Sequence, residues 1–239
     1  MIDPRASIIE ERLKGIKRII AVSSAKGGVG KSMVASTLAV ALSKKGKVGL
    51  LDLDFYGPSS HLILGAGELY PKEDYGIVPP EVAGVKLMSL IYFTKDRPLA
   101  MRGSNISDAI LEIMAITRWG ELDYLVIDMP PGIGEETLDV IRLIKRCEFI
   151  VVTTQSKVAW EVVKRLLSLF KEMKVKVIGI VENMRLTEAH SVEEHLGEFG
   201  YKYLSGLPFD TALEEAVGNP EKILKTNYGK ALKKIAEKL

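Results

Sequence analysis

The sequence predicts an α/β fold, a predominantly parallel, doubly wound sheet with helices on both faces, built as a single domain over residues 1–239. Three observations predict it. Short apolar, branched runs recur along the chain, and helix-like stretches separate most of them. The composition, 47% apolar with few aromatics, is ample to cover both faces of a parallel sheet. At 239 residues one such sheet accommodates the whole chain without splitting.

The runs at residues 18–22, 47–53, 85–91, 123–128, 149–154 and 175–181 are each short and rich in Val, Ile and Leu, as buried strands are. Between them, residues 32–45, 104–117, 137–146 and 158–173 carry apolar positions at three- and four-residue spacing, the period of a helix face. Strand alternating with helix means parallel pairing. Right-handed crossovers then place helices on both faces and gather the strand carboxyl ends along one edge, where ligands of open sheets bind. Residues 57–80 are rich in glycine and proline and read as a long irregular excursion with a short helix. No internal repeat or linker divides the chain.

Charge narrows the partners. With 33 Lys and Arg against 31 Asp and Glu, the formal net charge of +2 provides no general attraction to nucleic acid or acidic lipid, so neither is expected as a partner. The single cysteine, Cys147, excludes an intrachain disulfide, and residues 1–15 contain no apolar stretch resembling a signal peptide. The expected compartment is a reducing cytoplasm. No run approaches the roughly 18 apolar residues that span a bilayer.

The chemistry centres on the segment after the first strand. Ser23-Ser24-Ala25-Lys26-Gly27-Gly28-Val29-Gly30-Lys31-Ser32 leads directly into a helical pattern, the strand-loop-helix context of a phosphate-binding P-loop. Three glycines let successive N–H groups curl toward phosphate oxygens above the positive end of the helix. A glycine-rich turn that only capped a helix would not require Lys31 and Ser32 after Gly30. Lys26, Gly27, Gly28, Val29, Gly30, Lys31, Ser32 and Met33 are the expected nucleotide contacts, with Lys31 reaching the β- and γ-phosphates of ATP and Ser32 ligating Mg²⁺. Ala25 stands where the strict pattern has glycine.

Lys26 narrows the class, because the run from Lys26 to Ser32 resembles the deviant P-loop of the MinD, ParA, nitrogenase iron protein and ArsA superfamily. The resemblance implies a homodimer closed across ATP, in which this lysine reaches the partner's nucleotide; the plainer reading is a solvated loop lysine. Leu51-Asp52-Leu53-Asp54-Phe55-Tyr56-Gly57-Pro58-Ser59 resembles the D-x-D-x-Y-G-P-S segment of the Mrp family of iron–sulfur carrier ATPases. So do Met101-Arg102-Gly103, the run from Trp119 to Gly132, and Val181-Glu182-Asn183-Met184. That family implies a catalytic set of Lys26, Lys31 and Asp54, with Asp54 orienting water and Asp52 supporting it. Ser32, Asp54 and Asp128 form the metal side, and the Gly132 N–H senses the γ-phosphate. It also implies that Asn183 bonds adenine and that Pro208 and Phe209 close over the base. Helix-cap or turn roles compete for Asp54 and Asp128, and a turn role for Asn183. A guanine-reading N-K-x-D motif is absent.

One departure stands out. Mrp-type carriers follow E-N-M with a C-P-x-C pair, whereas residues 185–195 contain no cysteine. Thiolates are the normal ligands of iron–sulfur clusters. His190 and His195 are the only histidines near, and their glutamate neighbours suit a solvated helix start better than a metal site. Cys147 reads as a small buried hydrophobe. The expectation is therefore an ATPase that assists metal-cofactor or protein assembly, with cargo held by partners or another surface. The alternative is a MinD- or ParA-like positioning ATPase binding membrane or DNA. It rests on the tail 225–239, where five lysines flank the helically spaced Leu232, Ile235, Ala236 and Leu239. The same spacing serves an ordinary terminal helix covering the sheet.

Overall fold

The computed structural model describes residues 3–55, 57–94, 104–187 and 192–239. Tyr56, Met101-Arg102-Gly103 and residues 188–191, including His190, lie outside them. In chain order the elements are α1 (Arg5–Leu13), β1 (Ile16–Ser24), α2 (Lys31–Ser43), β2 (Val48–Asp52) and α3 (Ser60–Leu64). A small hairpin, β3 (Lys72–Glu73) and β4 (Ile77–Val78), is followed by β5 (Glu81–Val82), β6 (Val85–Ser89) and α4 (Ile91–Thr94). Next come α5 (Ser104–Ile116), β7 (Leu122–Asp128), α6 (Glu135–Leu143), β8 (Glu148–Thr154), α7 (Lys157–Glu172) and β9 (Lys176–Arg185). A 3₁₀ turn (Val192–Glu198), β10 (Tyr203–Pro208), α8 (Ala212–Ala216), α9 (Pro220–Ile223) and α10 (Asn227–Lys238) complete the chain.

The main sheet runs β10-β9-β8-β1-β7-β2-β6-β5, and every pairing is parallel except that of β5 with β6. From β1 the chain first crosses to β2 on one side of β7 and later lays down β8, β9 and β10 on the other. The carboxyl end of β1 is therefore the point where the winding reverses, the place where doubly wound sheets hold ligands.

Side chains alternate across the pleat and divide the core in two. Ile19, Ala21, Leu51, Leu125, Ile127, Phe149 and Val151 face one layer, under α1, α5, α6 and α7. Ile20, Val22, Leu50, Val126, Ile150 and Val152 face the other, under α2 and α10. Each buried Leu or Ile contributes roughly 1.5–3 kcal/mol, so continuous apolar strands, unlike alternating ones, pin a sheet covered on both sides.

All six expected strands are present, and the structure adds to them. β9 continues past residue 181 to Arg185, because Glu182 and Asn183 find hydrogen bonds within the fold and the ladder need not stop at the first polar residue. β10 adds a strand in a segment read as loop, and α1 was not expected at all. The excursion at 57–80 contains the short α3, as anticipated, and the β3–β4 hairpin. In the tail, Leu232, Ile235 and Ala236 are buried beneath α10 against the second core layer, so the apolar face offered for lipid docking is already covered. Among the described residues no helix is long and apolar enough to cross a membrane.

Candidate functional site

The loop between β1 and α2 is shaped by two left-handed residues, Gly28 (φ 77°) and Gly30 (φ 76°), a conformation that other residues adopt only under strain. Gly30 is also the N-cap of α2 and brings no side chain to it. The first amides of α2, at Lys31, Ser32 and Met33, thus have neither an intrahelical acceptor nor a capping oxygen, and the positive helix end stands behind them. Such an end attracts a polyanion. The loop is braced from below: the Ser24 hydroxyl donates to the Lys26 carbonyl at 3.0 Å, and the Gly132 amide donates to the Ser24 carbonyl at 2.9 Å. The cleft over it, about 340 Å³, is lined by residues 26–33 together with Asp54, Ser59, Ile63 and Pro131.

Charge converges at its floor. Lys31, only 5% exposed, ion-pairs with the fully buried Asp128 and lies 3.7 Å from Asp54; its ammonium is also 3.2 Å from the Ser32 hydroxyl. Asp128 and Asp52 sit side by side in register at the ends of β7 and β2. Burial raises the Asp128 carboxyl above its ordinary range, against the pull of Lys31. Burial, and then the neighbouring Asp128, pushes Asp52 up to about 7. Asp52 accepts from the Asp54 amide at 3.0 Å and from the Ser60 amide at 3.2 Å, stapling both ends of the loop 54–60 with one carboxylate. The second Asp128 oxygen, Oδ2, is buried without a hydrogen-bond partner. An orphaned carboxylate oxygen beside a serine hydroxyl suits a hard, oxygen-seeking divalent cation such as Mg²⁺.

The ends of β9 and β10 meet the loop from its other side. Asn183, 3% exposed, donates from Nδ2 to the Val29 carbonyl at 2.8 Å. Met184 follows in a left-handed conformation (φ 55°), and the next turn brings Phe209, whose amide donates to the Arg185 carbonyl at 2.9 Å. Pro208 ends β10 half-buried, and the Phe209 ring is exposed. An exposed ring next to an apolar proline offers a flat surface on which a base can stack.

The model of the NUBPL iron-transfer P-loop NTPase family, a ParA type, matches residues 15–239. The chain belongs to this family. It is 38% identical to the iron–sulfur cluster carrier protein of Aquifex aeolicus, a match that covers 90% of this chain and 64% of that protein. It is 35% identical to the carrier of Pyrococcus furiosus, covering 100% of this chain and 90% of that one. The chain therefore spans about two thirds of one relative and most of the other. A solved nucleotide-binding protein from Archaeoglobus fulgidus, in complex with ADP, superposes with a TM-score of 0.77 at 32% identity, over 91% of this chain and 92% of that one.

Among the described residues no three His, Cys, Asp or Glu side chains are grouped to hold a metal ion. Cys147 is buried in the core layer under α6 and α7, where burial pushes its thiol up to about 12. His195 lies in the 3₁₀ turn, its ring stacked on Trp160 at 5.8 Å. The predicted site residues Lys31, Ser32, Asp54 and Asp128 come together around one point. Lys26 sits half-exposed at the rim. The family motifs did not reveal the link from Asp52 to Ser60, the contribution of Ser59 and Ile63 to the cleft, or Gln155. The Gln155 amide clasps the segment just past β9, accepting from the Leu186 amide at 3.0 Å and donating to the Thr187 carbonyl at 2.8 Å. Only Asp52 and Gln155, at the end of β2 and just past that of β8, carried even a positional hint of such roles.

Proposed function

We propose that this chain is a Mg²⁺-dependent ATPase, working as a homodimer in the cytoplasm, that assists the assembly or delivery of a metal cofactor or a protein cargo. The observation that carries the reading is the meeting of Lys31, Asp54 and Asp128 beneath an uncapped helix N-terminus at the reversal point of the sheet. In this reading the amides of residues 27–33 and Lys31 hold the triphosphate, and Ser32, Asp54 and Asp128 face the Mg²⁺. The metal would neutralise charge building on the phosphate oxygens.

Asp54 orients the water that attacks the γ-phosphorus as the bond to the ADP oxygen breaks. Lys26 extends from the rim to the partner subunit's nucleotide and adds positive charge where it develops. Gly132 exchanges its bond to the Ser24 carbonyl for a γ-phosphate oxygen, which gives the loop after β7 a way to distinguish ATP from ADP. Asn183, Pro208 and Phe209 receive the adenine. Cargo is handled through the difference between the closed, ATP-bound dimer and the open one, since a nucleotide shifts a population only by its differential affinity.

Because no cysteine follows Glu182-Asn183-Met184, a bridging cluster is not held through the route the C-P-x-C carriers use. Anaerobic incubation of the pure protein with iron and sulfide is expected to leave no cluster absorbance. The central test is sizing and calorimetry with a non-hydrolysable ATP analogue and Mg²⁺. Wild type is expected to bind and dimerise, and Lys26→Ala to bind but remain monomeric or hydrolyse slowly. Absence of any binding heat with wild type overturns the ATPase reading. Identical dimerisation and turnover in wild type and Lys26→Ala removes the role across the interface.

A further inference from the structure

Asn183 and Val29 are 154 residues apart, yet the side chain of one meets the main chain of the other at 2.8 Å in a buried setting. Val29 offers a carbonyl that can only accept, so the amide nitrogen must be the atom that faces it. The contact is also close-fitting. A Cβ added at Gly30 would fall 2.3 Å from Asn183 Nδ2 and 3.2 Å from Met184 Cε, so the strand end of β9 abuts the cradle with no room between them. Met184 adopts its left-handed conformation at this junction. A methionine carries that strain where the surrounding structure holds it in place, and here it turns the chain away just after Asn183 has been aimed under the loop. On the far side Glu182, fully buried, accepts from the Tyr203 hydroxyl at 2.7 Å and the Val192 amide at 3.4 Å, anchoring the strand that presents Asn183.

We infer that Asn183 is a positioning residue that tethers the P-loop main chain at Val29, so that it sets the grip on the phosphates whatever base is attached. The inference goes beyond the base-reading role proposed above and rests on the same nucleotide site. Both roles are open to one side chain, since an amide has a second hydrogen and an oxygen besides the hydrogen given to Val29. They differ in what the residue does for guanine nucleotides. A base reader discriminates between adenine and guanine; a tether serves both equally.

The test uses Asn183→Leu, which keeps the volume and removes the donor, with Asn183→Ala as a second variant in case the bulkier one does not fold. In nucleotide-free protein, hydrogen exchange read by mass spectrometry is expected to quicken about tenfold across residues 25–33, while β8, β9 and β10 stay at wild-type rates. ATP, ADP and GTP are all expected to weaken by about tenfold or more, GTP included, because the tether serves both bases. Unchanged loop exchange with a shifted ATP to GTP ratio overturns the tether and leaves a base reader. Faster exchange spread over the whole of β8–β10 in both variants overturns it in favour of a merely structural role. Should wild type bind no nucleotide, the ATPase reading fails while the exchange measurement still decides the tether.

Discussion

The carboxyl edge of the sheet has two halves that are built from different materials. At the ends of β1, β2 and β7 the site is ionic: one buried ammonium is set among three aspartates, within a loop that is almost all main chain. At the ends of β8, β9 and β10 the group that meets the loop is a neutral amide, Asn183, with Gln155, Leu186 and Phe209 beside it, while the charged Glu182 and Arg185 are engaged with Tyr203 and with the Thr187 carbonyl. The difference teaches that charge grips and activates at one half, while the other half sets the shape and position of what is gripped. Ionic groups buried beside each other are also expensive to leave uncompensated, and that predicts which half tolerates change.

The largest effect is expected from removing the cation. Lys31→Ala should weaken ATP by at least about 100-fold by calorimetry, since several charge-assisted bonds of roughly 1.5–3 kcal/mol each depend on it. A binding loss below tenfold would mean that the ionic half does not dominate. The second effect concerns pH. Asp52 has a folded value of about 7 against an ordinary 3.8, so the folded chain holds the extra proton between these values. Its contribution is complete below about 4 and is lost as pH rises toward and through 7. Chemical denaturation of nucleotide-free protein should therefore show stability falling across that window, and Asp52→Asn should flatten the slope. A wild-type slope of opposite sign in the same window would show that other groups outweigh this carboxylate.

On the β8–β10 half the expected changes are smaller. The Asp210 carboxylate accepts from the Asn227 amide at 2.8 Å and the Tyr228 amide at 3.3 Å, fastening the start of α10 behind Phe209. Asp210→Ala should cost about 1 kcal/mol in denaturant unfolding, the usual cost of a lost cap, with turnover nearly unaltered. Smallest of all, His195→Ala should cost about 0.5–1 kcal/mol in denaturant unfolding for the lost stack on Trp160, with nucleotide binding unaltered. No loss of stability would show that the stacked ring contributes nothing to the packing.

How much of this was readable in advance follows the same division. The six apolar strands and the loop from Lys26 to Ser32 are local signals: a run of branched residues, or a lysine and serine placed after a glycine. α1 escaped because only Ile9 and Leu13 of its nine residues are buried, too short a stripe to register as a period. β10 escaped because Gly206 and Pro208 look like a turn, although proline is tolerated at the end of a strand on the sheet edge. In the site, Asp54 and Asp128 were implied by the family resemblance, with which their positions at strand ends agree. The contact of Asn183 with Val29 and that of Asp52 with Ser60 depend on distances no motif encodes, because they exist only once the sheet has brought remote segments together.

The staple made by Asp52 has a mechanical corollary. With one rigid carboxylate holding the amides at both ends of the loop 54–60, neither end can travel alone. Ser60 begins α3, and α3 leans on α8 and α9 through Ile63, Ala216 and Ile223, while the Gly218 amide reaches the Ile63 carbonyl at 3.2 Å. Any push on Asp54 is thereby shared with the surface that α8 and α9 form, as a lever shares its load with the far arm.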